Sequence, residues 1–217
     1  MVTAGVFLAA FLLVTALDAA GTFRNADFRL THYLQSRGSY GQDVGLALFA
    51  YLGSIEVTLI VAVLLGAALF RGLRLLSVLP VVFVLLGSGL ELAGKHLVTS
   101  PGPGLALNRF PKILPGLSHD LGGYSYPSGH VLRSTITYGL VLYLAERWGL
   151  FGENSSRLSP VLVLAIFLVG YAVIYLGWHW FSDALGGLLL GLTLLFALVA
   201  YLERKRTVNP GHAPGDD

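Results

Sequence analysis

Residues 160–202 read PVLVLAIFLVGYAVIYLGWHWFSDALGGLLLGLTLLFALVAYL, and in all of this stretch Asp183 is the one acidic or basic side chain apart from His179. Two apolar runs, Pro160 to about Leu176 and Ser182 to Leu202, flank the short turn Gly177–Ser182. Roughly twenty apolar residues are enough to carry a helix across a bilayer. A helix satisfies its own backbone hydrogen bonds, which lipid cannot do for it. The stretch therefore predicts two membrane-spanning helices joined by a tight turn that carries a histidine and an aspartate.

Working outward, four more apolar runs fit the same description: Val2–Ala20, Val44–Phe70, Leu75 to about Val98, and Pro127–Glu146. The expected fold class is all-α, a polytopic membrane protein built as a six-transmembrane-helix bundle. The domain is expected over residues 1–203, with 204–217 as a disordered cytoplasmic tail rich in Pro, Gly and charge. The first run lacks the basic residues that open a secretory signal, so it reads as a retained span with Asp18 near an interface. The polar connection Gly21–Asp43 interleaves Phe23, Phe28, Leu30, Tyr33 and Leu34 with charge, as an interfacial helix does. Arg71, Gly72 and Arg74 form a tight turn. The longest loop, Thr99–Tyr126, holds Pro101, Pro103, Pro111 and Pro115 and cannot be a spanning helix. His119 and Asp120 within it read as solvated.

Composition agrees. Hydrophobic residues make up 55% of the 217 and charged residues 12%, where a soluble domain carries about 25% charged. Mean hydropathy is +0.72. A balance of 14 Lys+Arg against 12 Asp+Glu argues for no nucleic-acid partner. With no Cys there is no disulfide framework and no thiolate nucleophile. No Asp, Glu, His or Cys cluster has metal-ligand spacing, so no metal or other cofactor is expected. Orientation follows Lys and Arg. Arg71, Arg74, Arg147, Arg157, Arg204, Lys205 and Arg206 fall on one side if the amino terminus is inside. Both termini are then cytoplasmic, and the long loop and the Gly177–Ser182 turn share the outer face of a cell (inner) membrane.

Three stretches carry chemistry. In Tyr-Leu-Gly-Trp-His-Trp-Phe-Ser-Asp at 175–183, His179 and Asp183 are four apart at a helix start and face the same way. A carboxylate on one imidazole nitrogen leaves the other free as nucleophile or base. An aromatic belt would account for Trp178 and Trp180 but not for the His–Asp pair. In Tyr-Pro-Ser-Gly-His at 126–130, Ser128 suits a helix cap, the amides that follow suit an anion, and His130 could donate a proton to it. Lys95, near the end of the third run, could snorkel to the membrane edge or reach a phosphate.

Taken in order, Lys95, then Pro-Ser-Gly-His at 127–130, then His179 with Asp183, resemble the motifs of the type-2 phosphatidic acid phosphatase superfamily. That family includes undecaprenyl-diphosphate phosphatases and soluble vanadium haloperoxidases. The resemblance implies His179 as the nucleophile that forms a phosphohistidine, Asp183 as its orienting carboxylate and His130 as the acid for the leaving oxygen. It implies Lys95, Ser128 and the Gly129 backbone as phosphate ligands, and no metal requirement. The implied substrate is a membrane lipid: a lipid phosphate such as phosphatidic acid, or a polyprenyl (di)phosphate such as undecaprenyl diphosphate. The alternatives are a related phosphotransferase and a degenerate, non-catalytic lipid-phosphate-binding protein.

Two positions depart from the family pattern. Gly102 stands where the first motif has Arg before Pro103, and Val173 where the third has Arg six residues before its His. Neither can replace a guanidinium fork on phosphate. Arg133, three residues after His130 and inside a span, is the candidate substitute and so a substrate-binding candidate. Its rival role is to pair with Glu56 or Glu91 and hold the helices together. Arg109, in the long loop, could fold over the site but reads rather as a solvated loop charge.

Overall fold

The computed structural model describes residues 2–70, 76–109, 123–149, 152 and 155–208. The Arg71–Arg74 turn, His119, Asp120 and residues 209–217 of the tail lie outside the described residues. Among those described, the chain forms eight α-helices: α1 (Val2–Ala19), α2 (Arg24–Gln35), α3 (Tyr40–Tyr51), α4 (Ile55–Phe70), α5 (Leu79–Leu97), α6 (Gly129–Trp148), α7 (Ser155–Tyr175) and α8 (Phe181–Val208). A 3-10 turn covers Leu105–Leu107, and a lone bridge joins Pro101 to Tyr124. The architecture is all-helical.

Helix α6 is the axis of the bundle. It packs on α8, α7, α5 and α4, while α1 lies on α8 and α3 on α7. Every residue from Gly129 to Val141 is buried, including Arg133, Ser134, Thr135 and Thr137. A helix wrapped by protein need not be apolar all round. The outer helices show the opposite pattern: Leu12, Leu64, Leu85 and Phe167 are all exposed. Water would penalise so much apolar surface, whereas lipid accepts it. Among the described residues, four helices are long and apolar enough to cross a membrane: α1, α5, Arg157–Tyr175 of α7, and Phe181–Lys205 of α8. The α3–α4 pair makes a fifth if counted as one span.

That pair corrects one expectation. The run Val44–Phe70 is not a single helix but bends by 42° between Tyr51 and Ile55. Helix α6 supplies the reason. Tyr138 Oη donates to the Leu52 carbonyl at 2.7 Å and Arg133 Nε to the Gly53 carbonyl at 3.3 Å. Ser54 Oγ accepts from the Val57 amide at 3.3 Å and so starts the next helix. Backbone groups freed by the bend find partners on the buried axis, which is the condition for irregular backbone at membrane depth. Helix α8 runs on to Val208, so residues 204–208 of the expected tail are helical.

Close approach of α6 and α8 rests on small residues. Gly187 lies against the Ser128 carbonyl, and a Cβ at Gly191 would meet Thr135 Cβ at 2.8 Å. Stripes of this kind let helix backbones approach in membranes. They bring the start of α8 beside the start of α6.

Candidate active site

The amino ends of α6 and α8 meet through their backbones: the Ser128 amide donates to the Asp183 carbonyl at 2.9 Å. The turn between α7 and α8 is shaped by Gly177, whose φ of +68° favours glycine. It brings the Trp178 and His179 amides back onto the Val173 carbonyl at 3.0 and 3.2 Å. His179 is thereby held at 1% exposure over the start of α8. Its ring lies 6.1 Å from that of His130, centroid to centroid. The two imidazoles thus face one another across the junction.

Asp183 lies below His179, with 3.5 Å between His179 Nδ1 and Asp183 Oδ2. That is longer than the 2.6–3.2 Å of a catalytic hydrogen bond. The same oxygen accepts the Trp180 amide at 2.8 Å, which fixes the carboxylate as a cap for α8. The other oxygen, Oδ1, is buried with no hydrogen-bond partner among the described residues. Ser128 occupies the N-cap position of α6, but its side chain does not cap, contrary to the expectation from sequence. Its hydroxyl is buried and has no partner among the described residues. The first amides of α6 are therefore not claimed by the serine, and a helix start of this kind favours an anion.

Lys95 approaches from α5. Its Nζ donates to Glu91 Oε1 at 2.7 Å. Arg133 Nη1 is ion-paired to the other oxygen of the same carboxylate. Arg133 is thus engaged by Glu91 and Gly53, while Glu56 stands exposed in the first turn of α4. The Glu91 carboxylate also rests against Gly129, in space a Cβ there would need. Lys95, Arg133, Gly129 and Glu91 therefore form one charged cluster at the start of α6. The two departures from the motif lie elsewhere. Val173 is fully buried in an apolar cluster with Val131, Val169 and Trp178. Gly102 lies beside Ser125 in the loop.

Several supporting residues escaped the sequence reading. Asp27 of α2 accepts the Ser182 amide at 3.0 Å and its hydroxyl at 2.8 Å, a second cap on α8. Burial pushes the Asp27 carboxyl above its usual value, against the pull of the Ser182 hydrogen bonds. Asp18, in the last turn of α1, is buried. Trp178 is buried and tilts against His130, with 5.7 Å between ring centroids, so it is not a belt residue. Trp180 Nε1 donates to the Pro101 carbonyl at 2.9 Å and ties the loop to the turn.

Arg109 is no solvated loop charge. Its Nε and Nη2 donate to Asp43 Oδ1 and Oδ2 at 2.8 and 3.1 Å, and its guanidinium lies over the Tyr175 ring. The hydrogen bond to Asp43 raises its already high pKa further. Gln35 Nε2 donates to both the Leu107 and Tyr175 carbonyls at 2.7 Å. Residues 105–109 thus form a strap laid over the turn that precedes His179. These partners are far apart in sequence, and no local spacing signals them.

The comparisons with known proteins fit this arrangement. A crystal structure of a transmembrane PAP2-type phosphatidylglycerolphosphate phosphatase from Bacillus subtilis superposes with a TM-score of 0.80. It is 22% identical and covers 94% of this chain and 98% of that one. The crystal structure of Aquifex aeolicus LpxE gives a TM-score of 0.60 at 24% identity, over 81% of this chain and 96% of that one. In sequence, 96 residues are 32% identical to phosphatidylglycerophosphatase B of Bacillus subtilis (strain 168). That match takes in 43% of this chain and spans under half of the relative, 46% of its length. The PAP2 superfamily model matches residues 75–207, more than half of the chain and all of α5 to the body of α8, and the chain belongs to that superfamily.

Proposed function

We propose that this chain is a membrane phosphatase, six spans across with α6 as the buried one, that hydrolyses a lipid phosphate or polyprenyl (di)phosphate through a phosphohistidine at His179. The observation that carries the reading is the facing pair His130 and His179, 6.1 Å apart at the junction of two helix starts, with Asp183 beneath. A phosphate seated on the α6 amides lies between the two rings. His179 attacks phosphorus with one ring nitrogen while the other faces Asp183. The phosphorus–oxygen bond to the lipid breaks, and His130 gives its proton to the leaving oxygen. Water then attacks the phosphohistidine, His130 takes up a proton, and inorganic phosphate leaves with His179 restored. Lys95, Ser128 and the Gly129 amide hold the phosphoryl oxygens, and Arg133 adds positive charge from behind. The site opens on the outer face of a cell membrane with both termini cytoplasmic.

Phosphate release from a panel of lipid phosphates by wild type and His179→Ala tests the reading. Turnover is expected in wild type and loss of it, by several orders of magnitude, in the variant. Chelators are expected to leave the rate unchanged. Brief reaction with a labelled substrate followed by acid-sensitive, base-stable label on wild type but not on His179→Ala is the intermediate's signature. Equal release by both proteins on every substrate would leave the non-catalytic reading, which Gly102 and Val173 favour. Transfer of label to an added alcohol rather than water would favour the phosphotransferase.

A further inference from the structure

The cations at the start of α6 are already occupied. Glu91 projects from α5 one turn before Lys95 and sends one oxygen to Lys95 Nζ at 2.7 Å and the other to Arg133. Its carboxylate lies against Gly129, the first residue of α6, where only the absence of a Cβ makes room. A carboxylate and a phosphate share this chemistry: each is an anion that takes several N–H donors through separate oxygens. The same three features, an ammonium, a guanidinium and a helix amino end, would recognise either one.

We propose that Glu91 is a resident anion of the phosphate pocket, which the substrate's phosphate must displace from Lys95 and Arg133 before it can seat on the α6 amides. This rests on the reading of the site as a phosphate pocket and makes Glu91 a residue that sets phosphate affinity. Two consequences follow from charge alone. With Glu91 in place, Lys95 and Arg133 present one net positive charge instead of two, and the incoming phosphate competes with an ion held on the same chain. Neutralising Glu91 removes the competitor and leaves Arg133 buried with no carboxylate, a state that a bound phosphate relieves.

The experiment measures dissociation constants for inorganic phosphate on the purified full chain in detergent, by calorimetry and by phosphate-dependent thermal shift. It compares wild type with Glu91→Gln. The variant is expected to bind phosphate more tightly by on the order of tenfold, within the usual range for coupled sites. The KM for a short-chain phosphatidic acid should fall in parallel, which ties the effect to a lipid phosphate as well as to the free ion. If Glu91→Gln does not fold, Glu91→Asp keeps the charge but is one methylene too short to span both cations. It should also bind phosphate more tightly than wild type. Unchanged or weaker phosphate binding in the variant that folds overturns the proposal, as does binding by neither protein. Tighter binding without turnover in any lipid assay would sink the phosphatase reading alone; turnover with an unchanged phosphate constant would sink this one alone.

Discussion

Asp183 shows how much one side chain carries here. It is fully buried, caps α8 through the Trp180 amide, and faces His179 with the same oxygen. An asparagine keeps an oxygen for Trp180 but loses the charge that stabilises an imidazolium. Asp183→Asn should therefore lower phosphate release by several orders of magnitude while moving the melting temperature little. A large loss of stability with normal turnover in the surviving protein would mean that the capping role dominates. That His130, His179 and Asp183 come together could be read from the sequence because they lie in two short, ordered stretches that resemble the family's motifs. Glu91 could be seen as a charge inside a span with Lys95 one turn on as a partner, but whether Arg133 joins that pair could not. Whether Arg133 turns toward Glu91, Glu56 or a cavity depends on the rotation of α6 against α5 and α4. Periodicity does not fix that rotation when nearly the whole of α6 is buried.

At the scale of elements, the start of α8 is held by Asp27 from α2, a residue with no motif to mark it. Asp27→Ala removes a buried acceptor from two donors and should cost about 1–2 kcal/mol, as losing a strong cap does. Asp27→Asn should cost less, since an amide oxygen still accepts the Ser182 amide. The two also differ in pH dependence. Burial holds the folded pKa of Asp27 above its ordinary value of 3.8. A carboxyl raised in the fold contributes its stability below the unfolded value and loses it as pH rises through the folded one. Wild type should therefore lose stability relative to Asp27→Asn as pH increases upward from about 4, and melting temperatures of the two proteins across that range check the sign. The strap at residues 105–109 gives a parallel case. Asp43→Asn removes the charge and the Oδ2 acceptor of the bidentate pair with Arg109, while its remaining amide oxygen can still accept from Arg109 Nε and from Tyr175 Oη. With the pair partly exposed, a loss of about 1 kcal/mol is expected, along with a lower rate if the strap positions His179. Apolar run lengths showed where these helices lie. The bend between α3 and α4 stayed hidden because Gly53 and Ser54 are unremarkable inside an apolar run, and the cause, Arg133 and Tyr138, lies on another helix.

For the whole molecule, the decisive relation is the distance between α6 and α8, because one carries His130 and the other Asp183 at its first turn. Gly187 and Gly191 set that distance. A Cβ on Gly191 would stand 2.8 Å from Thr135 Cβ and 3.0 Å from the Leu132 carbonyl, both part of a helix buried on every side. Neither neighbour is the free end of a flexible side chain, so the helices themselves must move apart. Overpacking of this kind costs about 1–3 kcal/mol. Gly191 lies two turns from Asp183 and away from the charged cluster, so Gly191→Ala alters no reacting group. The shift should nevertheless widen the junction between His130 and His179. Gly191→Ala is expected to lower the melting temperature and to reduce kcat more than KM, since a misplaced pair of imidazoles hurts transfer more than phosphate binding. Gly5→Ala is the matched control. Gly5 lies in α1 with nothing within 4 Å of a new Cβ, so the same change there should leave the rate near wild type and stability unchanged or raised by up to about 1 kcal/mol. If Gly191→Ala and Gly5→Ala behave alike, the glycine contact between α6 and α8 does not frame the site, and the junction must be held by the Ser128–Asp183 backbone bond and the Asp27 cap instead.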